Sequence, residues 1–260
     1  MKKEAEKIFD SDILEGMPSI SALIHAEESQ ELYNDRKIIE ILIDESKKKP
    51  KERPIAFLKA KSQELEFSIR YVSSEEIENI SVGTSHGGIV AICSPRTIPS
   101  LNPDHILENG CYFCLDGVED PYNFGYAVRS LYASGADGLI VPPRNWMGAA
   151  GVVARSSAGA SELMNLFVAN TEDAIRLFKE KNYHVVCAGI RDSVSLFETK
   201  LQKPLLVILG GEKRGISQKV LSLADEIVRI DYGASFRGSL STSAAAAVFG
   251  FEILRQAEKR

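Results

Sequence analysis

Hydrophobic and polar positions along the chain follow two alternating periods. Runs rich in Ile, Val and Leu at 36–44 ("RKIIEILID"), 65–73 ("LEFSIRYVS") and 87–94 ("GGIVAICS") read as strands. The wider apolar spacing of "PIAFLKAKSQEL" (54–65) and "SSEEIENI" (73–80) reads as helices between them. Ahead of these, "MPSISALIHAEESQ" (17–30) has the pattern of an amphipathic helix opened by Pro18 and Ser19. The stretch "PRTIPSLNPDHILENG" then brings Pro95, Pro99, Pro103 and a closing glycine, and predicts a linker. The expected organisation is a domain at 1–95, a linker at 96–107 and a second domain at 108–260.

The second domain alternates more regularly. Strands are expected at "CYFCLDG", "GLIVPP", "NLFVAN", "HVVCAGI", "PLLVILG" and "EIVRID". Helices are expected at "FGYAVRSLYASG", "ARSSAGASELM", "EDAIRLFKEKN" and "SQKVLSLAD", with a last one from Thr242 to the end. This succession predicts an α/β class, with a mostly parallel sheet covered on both faces.

Composition narrows the setting. Of 260 residues, 44% are hydrophobic, enough for a substantial core, and no apolar run has the length of a membrane span. The charged start "MKKEAEKIFDSDILEG" has no apolar signal core, so a cytoplasmic protein is expected. Cys111 and Cys114 form one C-x-x-C, but "CYFCLDG" reads as a strand, so core packing is favoured over metal or redox chemistry and no metal site is expected. A net charge of −5 argues against indiscriminate nucleic-acid binding. One basic cluster stands against that balance: Lys47, Lys48, Lys49, Lys51 and Arg53, either a solvated turn or an RNA contact.

Ligands of open parallel sheets bind beyond the carboxyl ends of the strands, and three segments there carry candidate chemistry. In "LDGVEDPYNFGYAVRSLYASG", Asn123 is a candidate N-cap and Gly135 a candidate C′ residue. Phe124, Ala127, Val128 and Leu131 share one buried stripe, while Gly125, Arg129 and Ala133 share another face. Arg129 is either a surface arginine in a salt bridge or a functional cation with open space around it. In "LLVILGGEKRGIS", Gly210, Gly211 and Gly215 allow close backbone approach to a ligand, with Glu212 at the tip. A phosphate-loop reading fails because Ile216 stands where the lysine belongs, and no G-x-G-x-x-G occurs. In "SLSTSAAAA", hydroxyls at 239, 241, 242 and 243 exceed what one helix cap needs and suit a polar ligand at a helix start.

In this order and spacing the three segments resemble the SpoU (TrmH-type) ribose 2′-O-methyltransferases of the SPOUT class. Asn123, Gly125 and Arg129 match an N-x-G-x-x-x-R motif; Gly210, Glu212 and Gly215 match G-x-E-x-x-G; Ser239–Ser243 stand at S-L-N-x-S. Ser157–Ala160 match an S-A-G-A element, and "SHGGIVAI" is similar to the H-Q-G-I-x-A element of a small L30e-like RNA-binding domain. The resemblance implies an L30e-like N-terminal domain joined to a SPOUT-type α/β-knot domain with a deep trefoil knot. It implies S-adenosylmethionine at Leu209, Gly210, Gly211, Ile230, Ser239 and Leu240, and a homodimer sharing its sites. Asn123, Arg129, Glu212, Ser239 and Ser241 take the catalytic positions, with Ser241 where the family has Asn. The implied activity is ribose 2′-O-methylation of structured RNA, ribosomal RNA favoured over transfer RNA. The competing expectations are a silent RNA-binding module, a tRNA or base-nitrogen methyltransferase of the same class, and an unrelated small-molecule enzyme.

Overall fold

A computed structural model of the protein describes residues 13–29, 32–143 and 149–258, which fall into two compact units. The first comprises residues up to Thr97 together with 149–163. Its sheet has the order β1-β4-β2-β3, from β1 (Ile13–Glu15), β2 (Ile38–Asp44), β3 (Ser68–Val72) and β4 (Ile89–Cys93). β4 runs antiparallel to β1 and β2, and β2 parallel to β3. Helices α1 (Gly16–Glu28), α2 (Glu52–Glu64) and α3 (Ser74–Ile80) connect them. α1 starts at Gly16, so Pro18 and Ser19 lie inside its first turn, and it buries Ile20, Leu23 and Ile24 against Ile41, Ile43 and Ile89. β1 has no counterpart in the sequence reading, because three residues are too few to show a period.

Residues 154–164, expected as one helix of the second domain, instead give α5 (Ala150–Ser156) and α6 (Ala160–Leu163), packed within the first unit. The break falls at Ala158 and Gly159, both with positive φ. A Cβ at Gly159 would lie 2.6 Å from that of Ala22, so the S-A-G-A element serves a close approach to α1. Arg155 pairs with buried Glu15 at 3.2 Å, and buried Arg36 and Glu162 face each other at 3.6 Å. Asn34 and Arg96 donate to the carbonyls of Glu162 and Ser161.

The second unit holds residues 98–143 and 164–258 around a seven-stranded sheet of order β7-β6-β5-β10-β8-β11-β9. Its strands are β5 (Cys111–Asp116), β6 (Gly138–Val141), β7 (Leu166–Val168), β8 (His184–Ala188), β9 (Val194–Ser195), β10 (Leu205–Gly210) and β11 (Glu226–Arg229). Every pairing is parallel. Helices α4 (Pro121–Ala133), α7 (Thr171–Glu180), α8 (Gln218–Leu221) and α9 (Thr242–Glu258) cover it. The six expected strands are present; β9, a two-residue edge, is additional. Residues 98–107, read as linker, are fastened to this unit: Leu101 N–H donates to Val168, Val168 N–H to Pro99, and the Tyr112 and Tyr183 hydroxyls to the carbonyls of His105 and Leu107.

The central strand β10 is apolar along its length and β8 is apolar after His184, as a sheet buried on both faces requires. All four cysteines are free and buried. Burial pushes the thiols of Cys111, Cys114 and Cys187 up to about 12, so they are apolar packing groups.

Candidate active site

β5 and β10 lie side by side with Gly210 opposite Asp116, so the loops leaving them meet at the carboxyl edge of the sheet. Gly211 N–H donates to Asp116 O at 2.7 Å. A Cβ at Gly211 would stand 2.1 Å from Gly117 O, and one at Gly210 would stand 2.7 Å from the Gly215 carbonyl carbon. Backbone packs directly on backbone here, and only glycine allows it. Lys213 and Glu119 join the same loops at 2.7 Å.

α4 begins differently from the sequence expectation. Asp120 is its N-cap, accepting from Tyr122 N–H at 3.1 Å, and Pro121 takes the first helical position. Asn123 is therefore inside the first turn, and its side chain donates to Glu212. At the other end Gly135 (φ +82) is the C′ residue, its N–H donating to Tyr132 O and that of Ala136 to Leu131 O. Phe124, Ala127, Val128 and Leu131 are buried as expected. Arg129 is exposed and forms no ion pair or hydrogen bond with a described residue, so the salt-bridge alternative fails.

The hydroxyl-rich stretch divides its labour. Ser241 caps α9: its Oγ accepts from Ala244 N–H at 3.2 Å and its carbonyl from Ala245 N–H at 3.0 Å. Its Oγ also lies 3.0 Å from that of Ser243. Thr242, 3% exposed, donates its hydroxyl to Gly210 O at 2.8 Å and its N–H to Glu212 at 3.2 Å. Glu212 thus accepts from both α4 and the start of α9. Leu240 N–H donates to the Tyr232 hydroxyl at 3.1 Å.

These loops border a cleft of about 690 Å³ within the second unit. Leu209, Gly210, Gly211, Ile230, Ser239 and Leu240 all line it, as does Glu212. Asn123, Arg129 and Ser241 do not. The volume lies within the roughly 300–1,000 Å³ usual for small-ligand sites. Next to it, hydrogen bonds from the Ser195 side chain and Arg229 hold the Asp231 carboxyl below the usual range. Among the contributors that the sequence reading missed are Tyr232 and the wall at 188–190. Thr242 stood in the quoted hydroxyl run as a group for a polar ligand and instead bonds Gly210 O and Glu212, whereas the wall depends on β8 lying beside β10.

The basic cluster sits in the first unit, where Glu45–Lys47 form a 3₁₀ turn after β2, Lys51 is the N-cap of α2, and Arg53 belongs to that helix. Among the described residues no group of three His, Cys, Asp or Glu is placed to hold a metal, and no helix is long and apolar enough to cross a membrane.

Residues 110–251 match the family model for the SpoU rRNA Methylase family, and residues 13–99 match that for RNA 2′-O ribose methyltransferase substrate binding. The chain is 30% identical over 239 residues to the 23S rRNA (guanosine-2′-O-)-methyltransferase RlmB of Shewanella oneidensis, covering 90% of this chain and 95% of that protein. The RlmB of Haemophilus influenzae is 27% identical over 239 residues, covering 90% and 96%. Among solved structures, the AdoMet-bound rRNA methyltransferase of Sinorhizobium meliloti superposes with a TM-score of 0.74 at 26% identity, over 94% of this chain and 86% of that one.

Proposed function

Since the chain belongs to the SpoU rRNA methylase family, we propose that it methylates a ribose 2′-hydroxyl of RNA, with 23S ribosomal RNA as acceptor. The observation that carries this reading is the convergence of three separated motifs on one cleft through Glu212, which accepts from Asn123 and from the Thr242 N–H. The cleft fits S-adenosylmethionine: it has apolar walls at Leu209, Ile230 and Leu240, and no side chain at Gly210 or Gly211 where the backbone must approach. When bound, that cofactor supplies an electrophilic methyl group on a sulfonium.

Leu209, Ile230 and Leu240 exclude water, and the backbone at 209–211 and the Ser239 hydroxyl offer hydrogen bonds. Holding the acceptor oxygen in line with the methyl carbon accounts for much of the acceleration. The acceptor oxygen would take the methyl group that the sulfonium supplies, leaving a neutral thioether, and its hydroxyl proton would pass to solvent water as the oxygen becomes an ether. Arg129 remains a guanidinium, since that group holds its proton in proteins. Its role is to stabilise the developing alkoxide and a neighbouring phosphate. Ser241, engaged with Ala244 and Ser243, sets the start of α9 where the family has Asn.

Arg129 does not line the cleft of its own chain, and a second copy is the means of bringing one there. The proposed homodimer uses the outer face of α4 and α9, where Tyr122, Tyr126 and Phe251 are exposed. The trefoil knot belongs to the same proposal, on the strength of membership in the family. A cytoplasmic location follows from a ribosomal substrate.

The departure at Ser241 favours one rival, a silent RNA-binding module. Incubating the protein with labelled S-adenosylmethionine and unmodified 23S rRNA, then analysing nucleosides by mass, decides between them. A 2′-O-methylnucleoside, lost in Arg129→Ala, is expected. No transfer supports the silent module, and a base-methylated nucleoside refutes the ribose assignment.

A further inference from the structure

The first unit carries its cations in two groups that differ in what faces them. Arg36, Lys37, Lys61, Arg70 and Arg155 each have a carboxylate between 2.6 and 3.6 Å away. Arg96 donates to the carbonyls of Ser161 and Tyr33. By contrast, Lys47, Lys49, Lys51, Arg53 and Lys59 form no ion pair with any described residue. Lys48 has the exposed Glu45 at 3.5 Å, and Lys47 lies near enough to Asp44 to help lower its carboxyl without reaching ion-pair distance.

The tertiary structure gathers this second group at one end of the four-stranded sheet. Asp44, which ends β2, donates its N–H to Gly88 O, so the turn after β2 packs on the glycines that precede β4. A Cβ at Gly88 would stand 2.6 Å from Lys47 Cγ, and one at Gly87 would stand 2.8 Å from Lys51 Nζ. With no side chain at Gly88 the Lys47 stem lies on the turn, and with none at Gly87 the Lys51 ammonium rests against it, both lysines staying half-exposed. Near the end of the adjacent β3, Tyr71 lies with Lys48 Nζ 4.1 Å and Lys59 Nζ 5.9 Å from its ring centroid. Glu45 and Glu52 are the carboxylates in the same turn, against five cations between 47 and 53.

Unmatched cations spread along a turn and a helix start suit an extended polyanion rather than one small ion. A protein that reads unstacked bases needs a free aromatic face. Tyr71 packs partly buried against the core of the unit with Lys48 over its ring, and the exposed ring of Tyr33 precedes β2, at the opposite end of the strand. From this we infer that this end of the first unit grips the phosphate backbone of a paired RNA segment. Lys47, Lys49, Lys51, Arg53 and Lys59 are the contacts, and Lys48, held on Tyr71, is a sixth placed in advance. The inference rests on the RNA-methylation reading for the identity of the polyanion. It adds that the first unit recognises helical backbone and does not read sequence.

The test uses the full chain, a fully paired RNA hairpin and an oligouridine of equal length, with binding measured against salt. The triple variant Lys49→Gln, Lys51→Gln, Arg53→Gln is compared with wild type. Each phosphate contact adds about 0.9 to the slope of log K against log salt for a duplex, so the variant's slope should fall by about 2 to 3. Between about 50 and 200 mM salt the wild type should then lose roughly 40-fold more affinity than the variant. The hairpin should bind tighter than the oligouridine, whatever the hairpin's sequence. An unchanged slope in the variant, or preference for oligouridine, overturns the inference. S-adenosylmethionine titrated into the same preparation reports on the cleft separately: cofactor binding without hairpin binding refutes this face and leaves the methyltransferase reading intact.

Discussion

Replacing Thr242 with Val removes one hydroxyl from the meeting point of two motifs and little else. The branched shape is kept, and so is the N–H that donates to Glu212. What disappears is the 2.8 Å bond to Gly210 O from a side chain only 3% exposed. A neutral hydrogen bond contributes about 0.5–1.5 kcal/mol net, and leaving a buried acceptor without its donor raises the cost toward about 1–3 kcal/mol. Because a carbonyl has two acceptor positions, a loss of about 1–2 kcal/mol is expected. Gly210 lines the cleft, so the loss should appear in cofactor binding as roughly a 5- to 30-fold weakening. Calorimetric titration with S-adenosylmethionine and urea unfolding read the two effects. Thr242→Ser is the control: it keeps the donor and gives up one buried methyl, at about 0.8 kcal/mol. If Thr242→Val binds cofactor as tightly as wild type, or if Ser is as damaging as Val, the bond to Gly210 does not shape the cleft.

Arg129→Ala should abolish methyl transfer while leaving S-adenosylmethionine affinity within about twofold, because its proposed role is on the acceptor's alkoxide and phosphate rather than on the cofactor; calorimetry beside a transfer assay checks this. Burial raises the Asp225 carboxyl, but hydrogen bonds from Lys179 and the Val185 N–H outweigh it and hold it below its usual 3.8. Its stabilisation is therefore present above that value and lost as pH falls through the lower folded one, so Asp225→Asn should destabilise at neutral pH, with the deficit shrinking below about pH 4. The thiols of Cys111, Cys114 and Cys187, pushed up to about 12 by burial, should resist a thiol reagent at pH 8 until denaturant is added. Fast labelling of the native protein would contradict their place in the core.

Much of the architecture was legible because periodicity survives in one dimension. The apolar run "PLLVILG" and the run "VVCAGI" that follows His184 are what a doubly covered strand needs, and both became central strands. The buried stripe of α4 and the C′ role of Gly135 were likewise readable, since they depend on neighbours three or four residues away. Elements of two or three residues, β1 and β9, were not, because a period needs repeats to be seen.

What the sequence alone determined is thus the local chemistry: which segments are helix or strand, and which glycines, hydroxyls and charges stand at their ends. The resemblance implied the cofactor-site candidates, and all of them border one cleft. Only the tertiary structure decided partnership. It joined Asn123, Glu212 and Thr242 across a sheet edge, moved Asn123 from cap to ligand of Glu212, and assigned 149–163 to the first unit. It also sorted paired lysines from unpaired ones, a distinction absent from composition. The reason is physical: propensity and amphipathicity act between near neighbours, whereas a hydrogen bond or ion pair depends on which strands lie side by side, and strand order emerges only when the core is packed.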